Sequence, residues 1–460
     1  MPKFKKIYVC SKCDAQFPKW FGQCPECGSW GTLKESEVKS QKSKVKSIVE
    51  IGEVLEFEKV KAEDFPRIKT KIEELDRVLG GGVVPGGVIL LGGEPGIGKS
   101  TLVLQIAERI LNSKSETPNS KKIQNSVLYV SGEESAEQVK MRFDRLGVMA
   151  KNLKFLGETN IETICATIEK EKPTLAIIDS IQTMSSADFP SEAGSVNQVR
   201  TSTIKLLEVA KKEKIPILIT AHVTKEGIIA GPKTLEHLVD TVCYLEGDSY
   251  HQFRLLRTAK NRFGSTNEVG VFEMKSNGLI EVKNPSEAFL SQREEKNPGS
   301  VVAAILAGGR SFLVEVQALV AKTSFGYPQR RTLGLDFNRV QLLIAVLSRR
   351  LGFPLGNYDI HLNVVGGIEV KEPAIDLAVC LAIVSAYKNK ALESGLVVFG
   401  EVGLAGEIRT VSQEEKRIKE AEKLGFRKII KPVSKSKVKS QKLKIIEVKN
   451  LEEVLKILNL

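Results

Sequence analysis

The hydrophobic pattern divides the chain into two α/β regions that follow a short cysteine-rich segment. Between residues 66 and 285, apolar runs of strand length alternate with helix-period segments, which is typical of a parallel sheet with crossover helices. The pattern predicts strands at 87–92, 126–131, 174–179, 215–220 and 241–246. Residues 113–122 are polar and predict a loop. A second α/β pattern begins at residue 300, and a Lys/Ser-rich loop at 433–443 precedes its final small strand and helix.

Two polar stretches separate these regions. Residues 32–60 are rich in Lys, Ser, Glu and Val and contain no aromatic anchor before Phe57, which indicates a solvated linker. Near residues 285–299, Asn-Pro and Asn-Pro-Gly sequences bracket a charged segment and indicate a second boundary. The sequence therefore predicts a module at 1–31, a linker at 32–60, a central α/β domain at 61–285 and a C-terminal domain at 290–460.

The strongest local signal is a complete G-x-x-x-x-G-K-[ST] motif, which follows the apolar run Val88–Leu91 and opens a segment of helical period. Its glycines allow backbone N–H groups to close around phosphates, and the helix N-terminus adds a favourable dipole. Lys99 would reach the β- and γ-phosphates, and the Ser100 hydroxyl would ligate Mg²⁺. A glycine-rich turn with an incidental lysine would not fill every fixed position in this context. The predicted nucleotide-binding residues are Gly93, Glu94, Pro95, Gly96, Ile97, Gly98, Lys99, Ser100 and Thr101.

Acidic residues follow two other predicted strands, where hydrolysis needs them. Asp179 ends the apolar run Leu175–Ile178 and is placed to hold the magnesium shell; the alternative is a strand-end cap. Glu133 follows Val127–Ser131 and is the candidate general base for water, with Glu134 close behind. Alternatively, both glutamates favour the positive N-terminus of the next helix. Spacing does not separate Glu133 from Glu134.

Two further polar groups have open interpretations. His222, followed by Val-Thr-Lys, lies at a strand tip where a γ-phosphate could be sensed, although a satisfied structural histidine fits equally well. Residues 227–231 predict a mobile loop. Lys260 and Arg262 follow a strand-like segment at 253–258, and residues i and i+2 of an extended chain point the same way. This pair could reach the nucleotide of a neighbouring subunit, or it could form a solvated basic turn.

The N-terminal segment carries two C-x-x-C pairs separated by ten residues, formed by Cys10, Cys13, Cys24 and Cys27. This spacing is typical of four thiolates around one structural Zn²⁺, and so short a segment has no other route to a stable core. Two disulfides are the alternative, which a reducing cytosol disfavours.

The net charge and the lengths of the apolar stretches add two expectations. The 460 residues carry a net charge of +12, which favours a polyanionic partner such as DNA, although lysine-rich linkers supply much of the excess. No apolar stretch is long enough to span a bilayer, and the basic N-terminus lacks the apolar core of a secretory signal. A cytoplasmic location is therefore expected.

In this order, the motifs resemble those of the bacterial RadA (Sms) DNA-repair ATPases over essentially the whole chain. The shared markers are the four cysteines, GGEPGIGKST, YVSGEES, LAIIDSIQT, HVTKEG and KNRFG, the last being the most specific. The resemblance implies a RecA-like α/β core, hexameric rings, and ATP-driven movement on single-stranded DNA that promotes branch migration beside a recombinase. It further implies that Lys99 and Ser100 bind phosphate and metal, that Glu133 activates water, and that Asp179 is the Walker B acid. Lys260 and Arg262 belong to the KNRFG motif.

The C-terminal region resembles the proteolytic domain of Lon through the segments 359–367 and 370–374. A Lon-type peptidase needs a serine nucleophile after the proline and a lysine base further on. This chain has Ala374 at the first position and, by approximate placement, Glu415 at the second, so no peptidase activity is expected. A basic set in this region either forms a phosphate-binding face or consists of ordinary solvated charges: Arg330, Arg331, Arg339, Arg349 and Arg350.

The sequence therefore predicts an ATP-driven DNA motor with a zinc module. The alternative is a KaiC-like ATP-driven protein switch that does not translocate on DNA, since such RecA-like proteins also carry paired glutamates. KNRFG and the cysteine module argue against the switch. An ATP-dependent protease is the other rival class, and Ala374 argues against it.

Overall fold

The structure is a computed structural model that describes residues 5–13, 15–17, 19–38, 67–113, 125–147, 151–189, 191–222, 235–247, 252–290, 293, 297–324, 326–434, 440 and 442–460. Within these ranges the helices and strands form an N-terminal module and two larger α/β units. None of the helices in these ranges has the length and apolar character that crossing a membrane requires.

The N-terminal module is a three-stranded antiparallel sheet in the order β2-β1-β3. Its strands are β1 (Lys5–Cys10), β2 (Gln16–Phe17) and β3 (Leu33–Val38). Strand β3 pairs with β1 along its whole length, with Leu33 opposite Cys10. The folded module thus continues to Val38, seven residues beyond the end predicted at residue 31 and into the predicted linker. The remainder of that linker, residues 39–60, lies outside the described residues.

The central unit is built on a nine-stranded sheet in the order β12-β11-β10-β9-β4-β8-β7-β5-β6. Along the chain its elements are α1 (Glu73–Val78), β4 (Val88–Gly93), α2 (Lys99–Leu111), β5 (Val127–Ser131), α3 (Ala136–Arg145), β6 (Leu153–Leu156), α4 (Ile161–Glu171), β7 (Leu175–Asp179), α5 (Val196–Glu213), β8 (Ile217–His222), β9 (Thr241–Glu246), β10 (Phe253–Asn261), β11 (Val269–Lys275) and β12 (Gly278–Glu281). The five predicted strands correspond to β4, β5, β7, β8 and β9, with every bound within two residues of its prediction.

The six strands from β4 to β9 run parallel, and all except β6 are buried on both faces, which explains their continuous apolar sequences. In β4, Ile89 and Leu91 join one core that contains α2, whereas Val88 and Leu90 join a second core that contains α4 and α5. Strands β10 to β12 extend the sheet in antiparallel fashion. The predicted loop at 113–122 lies outside the described residues except for Ser113.

The C-terminal unit contains a seven-stranded sheet in the order β15-β16-β14-β13-β17-β20-β21 and a small pair, β18-β19. Its elements are α6 (Pro285–Leu290), β13 (Ser300–Ala307), β14 (Arg310–Lys322), β15 (Arg330–Leu333), α7 (Phe337–Leu351), β16 (Tyr358–Val364), α8 (Asp376–Tyr387), β17 (Leu396–Val398), β18 (Glu401–Val402), β19 (Ile408–Arg409), α9 (Glu414–Lys423), β20 (Lys428–Pro432), β21 (Lys444–Val448) and α10 (Leu451–Ile457). Helix α8 is buried on all sides, which fits its almost entirely apolar sequence.

The two larger units share one hydrophobic core. Leu255 and Val271 of the central sheet pack in the same cluster as Val301, Ala303 and Phe312 of the C-terminal sheet. An ion pair crosses the same junction, because Arg310 donates to the buried carboxylate of Glu74 at 3.1 and 3.2 Å. The central and C-terminal units therefore pack as neighbours through a continuous apolar contact.

Candidate nucleotide and zinc sites

The phosphate loop follows β4 directly and ends where α2 begins. Gly98 is the residue before the first turn of α2 and has a φ of +113°, in the region that favours glycine. A Cβ atom on Gly98 would lie 2.6 Å from Cε of Met274, so the methionine would have to shift, and the positive φ would strain the backbone of any other residue. This is the strand–loop–helix arrangement that the motif requires. The side chain of Ile97 is buried in the central core, so only the backbone of Ile97 is available to contact a ligand.

Lys99 is the first residue of α2, and its side chain extends back into the loop. Its ammonium group donates to the carbonyls of Gly93 at 2.9 Å and Glu94 at 3.0 Å, and it lies 3.1 Å from Nδ1 of His222. Burial lowers the pKa of Lys99, and the nearby carboxylates of Asp179 and Glu133 partly oppose that shift. Burial likewise lowers the pKa of His222, and the positive charge of Lys99 adds to the effect. A neutral His222 next to Lys99 is therefore favoured.

Asp179 lies at the carboxyl end of β7, where neighbouring strands fix its carboxylate. The hydroxyls of Tyr129 on β5 and Thr220 on β8 each donate to it at 2.5 Å. Burial raises the pKa of Tyr129 above that of a free phenol, and the Asp179 charge acts in the same direction. The phenol consequently stays protonated and serves as a donor that orients Asp179.

The environments of Glu133 and Glu134 differ, although their spacing in the sequence gave no distinction. Glu133 accepts a hydrogen bond from the Ser180 hydroxyl at 2.7 Å. Glu134 instead forms an ion pair with Arg142 of α3. Burial raises the pKa of Glu134, and Arg142 opposes the rise. The Glu134 carboxylate is thus engaged by a cation, whereas Glu133 is held by a neutral hydroxyl, and this difference separates the two residues.

These groups line one cavity of about 430 Å³ at the carboxyl edge of the parallel strands. Its lining comprises Gly96, Gly98, Lys99, Ser100, Thr101, Ser131, Glu133, Glu134, Arg142, Arg145, Asp179 and His222. The cavity brings together most of the predicted loop residues with both predicted acids and His222. Ser131, Arg142 and Arg145 were not predicted as site residues. Ser131 lies within the YVSGEES motif, whereas no motif marks the two arginines. The loop predicted at 227–231, with the residues that follow His222, lies outside the described residues.

Lys260 and Arg262 lie at the opposite edge of the sheet and do not line this cavity. Lys260 pairs with Val242 at the start of β9, whereas Gly93 of the phosphate loop lies opposite Leu245 near its end. Three residues of strand, at about 3.3 Å each, separate these positions by roughly 10 Å along the strands alone.

Lys260 and Arg262 have different partners within one segment of the chain. The register of β10 shifts between Thr258 and Lys260, just before this pair. Lys260 donates to the carbonyls of Glu236 at 2.8 Å and His237 at 3.2 Å, whereas Arg262 pairs with the buried Asp240 at 3.2 Å. Both therefore contact the segment that leads into β9, each with a different partner.

The four N-terminal cysteines converge without a disulfide. All four Sγ atoms lie within 4.8 Å of one another, and the Cys10–Cys27 and Cys13–Cys24 pairs are 3.7 and 3.6 Å apart. A sulfur tetrahedron with zinc–sulfur bonds of about 2.3 Å has edges of about 3.8 Å. The donor set therefore fits one Zn²⁺ with no open position, which is the arrangement of a structural site.

We expect chelation of this metal to unfold the N-terminal module alone, because ligand binding and folding are one event in so small a core. The chain has two tryptophans, Trp20 and Trp30, and both lie in this module. A strong chelator should release one zinc per chain and lower tryptophan anisotropy, while helix circular dichroism stays nearly constant. Cys24→Ser should give the same low anisotropy without chelator, and Ser11→Ala, at an exposed position of the same module, is the matched control. Unchanged anisotropy after complete zinc release would contradict this assignment.

Ala374 and Glu415 stand where a Lon-type peptidase would carry its nucleophile and its base. Ala374 is buried just before α8, and Glu415 on α9 is exposed and paired with Lys419 at 2.6 Å. The buried Arg417 of α9 pairs with Glu372 and donates to the Ala304 carbonyl at 2.6 Å. A cation–carboxylate pair thus lies two residues from Ala374.

Three of the five C-terminal arginines make contacts within the fold. Arg339 pairs with the buried Asp376, and Arg330 donates to Gln341 at 2.6 Å. Arg350 donates to the Leu404 carbonyl at 3.2 Å, and Arg331 and Arg349 are exposed. A phosphate-binding face formed by these arginines stays a prediction.

A phosphate loop facing two strand-tip acids, behind a four-cysteine ribbon, defines a zinc-ribbon P-loop ATPase. Family models agree: residues 8–35 match a rubredoxin metal binding domain, 54–227 an AAA domain, and 335–435 subunit ChlI of Mg-chelatase. The chain is 46% identical over 463 residues to the DNA repair protein RadA of Bacillus subtilis strain 168, covering 99% of both chains. It is 48% identical to that of Halalkalibacterium halodurans and 49% to that of Streptococcus pyogenes serotype M6, each covering 94% of this chain and 93% of the relative. The chain belongs to the RadA family of DNA repair proteins, as the resemblance predicted.

Among solved structures, one ATPase domain matches with a TM-score of 0.41 and 14% identity. The match covers 48% of this chain and 92% of that domain.

Proposed function

We propose that this protein is a DNA-dependent ATPase of recombinational repair that acts as a homohexameric ring on single-stranded DNA and promotes branch migration. One observation carries the ring: the phosphate loop and the KNRFG cations lie at opposite edges of one sheet. Neither Lys260 nor Arg262 lines the nucleotide cavity of its own subunit. A head-to-tail ring would bring these cations to the nucleotide of the neighbour.

Each group in the cavity has a role in this proposal. Lys99 and the loop N–H groups bind the phosphates of ATP, and Glu133, oriented by Ser180, takes the proton from the attacking water. Ser100 and Asp179 line the same cavity and would hold Mg²⁺, which neutralises phosphate charge when bound. His222, close to Lys99, senses the γ-phosphate. Lys260 and Arg262 of the adjoining subunit stabilise charge in the transition state.

The C-terminal domain is proposed to support the ring or contact DNA, and not to cleave peptides. Ala374 offers no nucleophile, and Glu415 is an exposed acid where a lysine base would stand. Close to Ala374, the buried Arg417 forms a structural ion pair with Glu372.

The decisive experiment measures ATP turnover with and without single-stranded DNA. We expect DNA to raise turnover, and DNA binding to weaken by about 10³-fold between roughly 50 and 200 mM salt, because counterions are released when cations bind phosphates. Glu133→Gln should bind DNA with the same salt slope but hydrolyse no ATP. Turnover indifferent to DNA, together with a flat salt titration, would favour the ATP-driven protein switch instead.

A further inference from the structure

A buried arginine of β10, Arg254, donates a hydrogen bond to the phosphate loop. Arg254 is only 4% exposed, and its Nε donates to the carbonyl of Ile97 at 3.1 Å. Its Nη1 donates to the carbonyl of Phe253 at 2.9 Å. Burying a guanidinium is expensive unless its donors are satisfied, so these contacts fix its position.

The hydrogen bond from Arg254 constrains the orientation of the next peptide unit of the loop. The peptide unit between Ile97 and Gly98 is planar, and its C=O and N–H point in opposite directions. Holding the Ile97 carbonyl on Arg254 therefore turns the Gly98 N–H away from Arg254. Gly98 lines the cavity, and its backbone already adopts a conformation that only glycine takes easily. Arg254 thus restricts a loop that glycines would otherwise leave free.

The adjacent residue links the same strand to the C-terminal domain. Successive residues of a strand face opposite sides of the sheet, so Phe253 points away from the side that Arg254 faces. The ring of Phe253 meets that of Phe289 edge-on at 4.9 Å, and Phe289 in turn meets Phe312 of β14 at 6.3 Å. A Cβ atom on Gly366 would lie 3.2 Å from Phe289 and 3.8 Å from Phe253, which shows how closely the C-terminal domain approaches.

We propose that Arg254 is a positioning residue that holds the phosphate loop in its binding conformation, and that packing of the C-terminal domain on Phe253 sustains this hold. A change in this packing then alters the nucleotide affinity through β10. The inference rests on the proposed nucleotide site.

The first test measures ATP affinity and turnover of full-length Arg254→Met and Arg254→Lys. Loss of the carbonyl contact should raise both the KM and the Kd for ATP about tenfold in Arg254→Met, with partial recovery in Arg254→Lys. A purely structural role would lower the active fraction, and hence the apparent kcat, without moving KM. Arg257→Met is the matched control, because Arg257 is on the same strand and pairs with the exposed Glu246. Wild-type Kd and KM in Arg254→Met would overturn the positioning role.

If Arg254→Met fails to fold, Arg254→Lys alone decides: a raised Kd for ATP supports the positioning role, and a wild-type Kd overturns it.

The second test replaces Phe253 by leucine, which should raise the Kd for ATP about threefold, with the exposed Phe337→Leu as control. An unchanged Kd would remove the C-terminal domain from the proposal. Should wild-type protein itself not bind ATP, the proposed function fails; if it binds ATP and only the Arg254 variants behave as wild type, this inference alone fails.

Discussion

Lys99→Ala is expected to reduce ATP hydrolysis to background, a loss of roughly 10³-fold in kcat. Lys99 is buried at the centre of the cavity, where two loop carbonyls and His222 fix its ammonium group. A preorganised charge in such a site stabilises developing phosphate charge far better than water does, and alanine supplies neither charge nor donor. The steady-state release of phosphate at saturating ATP measures this loss.

A matched control separates this effect from a general loss of lysine charge. Lys140 is exposed on α3 and pairs with Asp144 four residues on, so Lys140→Ala should keep wild-type turnover. Both variants should show the same helix content and the same zinc content. Wild-type hydrolysis by Lys99→Ala would show that the phosphate loop has been assigned to the wrong chemistry.

The parallel core was predictable because its strands are buried on both faces and therefore have continuous apolar sequences. Strand β3 was not, since three of the six residues of its sequence Leu-Lys-Glu-Ser-Glu-Val are charged and the segment resembles a linker. Its strand conformation comes from pairing with β1, which is information that no local window contains. Strand β6 is likewise short and only partly buried, so neither its length nor its hydrophobicity marked it.

The site shows the same division between local and distant information. The phosphate loop and the cysteine pairs were predictable because a fixed spacing on adjacent backbone defines each of them. The groups that orient the acids come from other strands: Tyr129 lies 50 positions from Asp179, Thr220 lies 41 from it, and Ser180 lies 47 from Glu133. Only the sheet order brings these groups together, and with them the distinction between Glu133 and Glu134.

The second large effect is expected for Arg262→Ala, which should retain ATP affinity but lose about 10³–10⁵-fold in turnover. In the proposed ring Arg262 is an arginine finger, a cation that reaches the nucleotide of the neighbouring subunit and stabilises the charge of the transition state. The fold should tolerate the change. Asp240 is buried, but it keeps Lys211 at 2.6 Å and the Val88 N–H at 3.1 Å when Arg262 is removed. Lys211→Ala is therefore the matched control, since it removes the other cation from the same carboxylate, and it should hydrolyse ATP normally.

Mixing variants tests whether Arg262 acts across subunits. Arg262→Ala protomers retain an intact phosphate loop, and Lys99→Ala protomers retain an intact finger, so each variant alone should be inactive. In mixed rings, an Arg262→Ala subunit whose nucleotide faces a Lys99→Ala neighbour has both parts, and turnover should reappear. Mixing Arg262→Ala with the double variant Lys99→Ala/Arg262→Ala should restore none, because no interface is then complete. If the first mixture also stays inactive although both variants co-assemble, Arg262 does not serve the neighbouring site, and the opposite-edge placement of loop and cations needs another explanation.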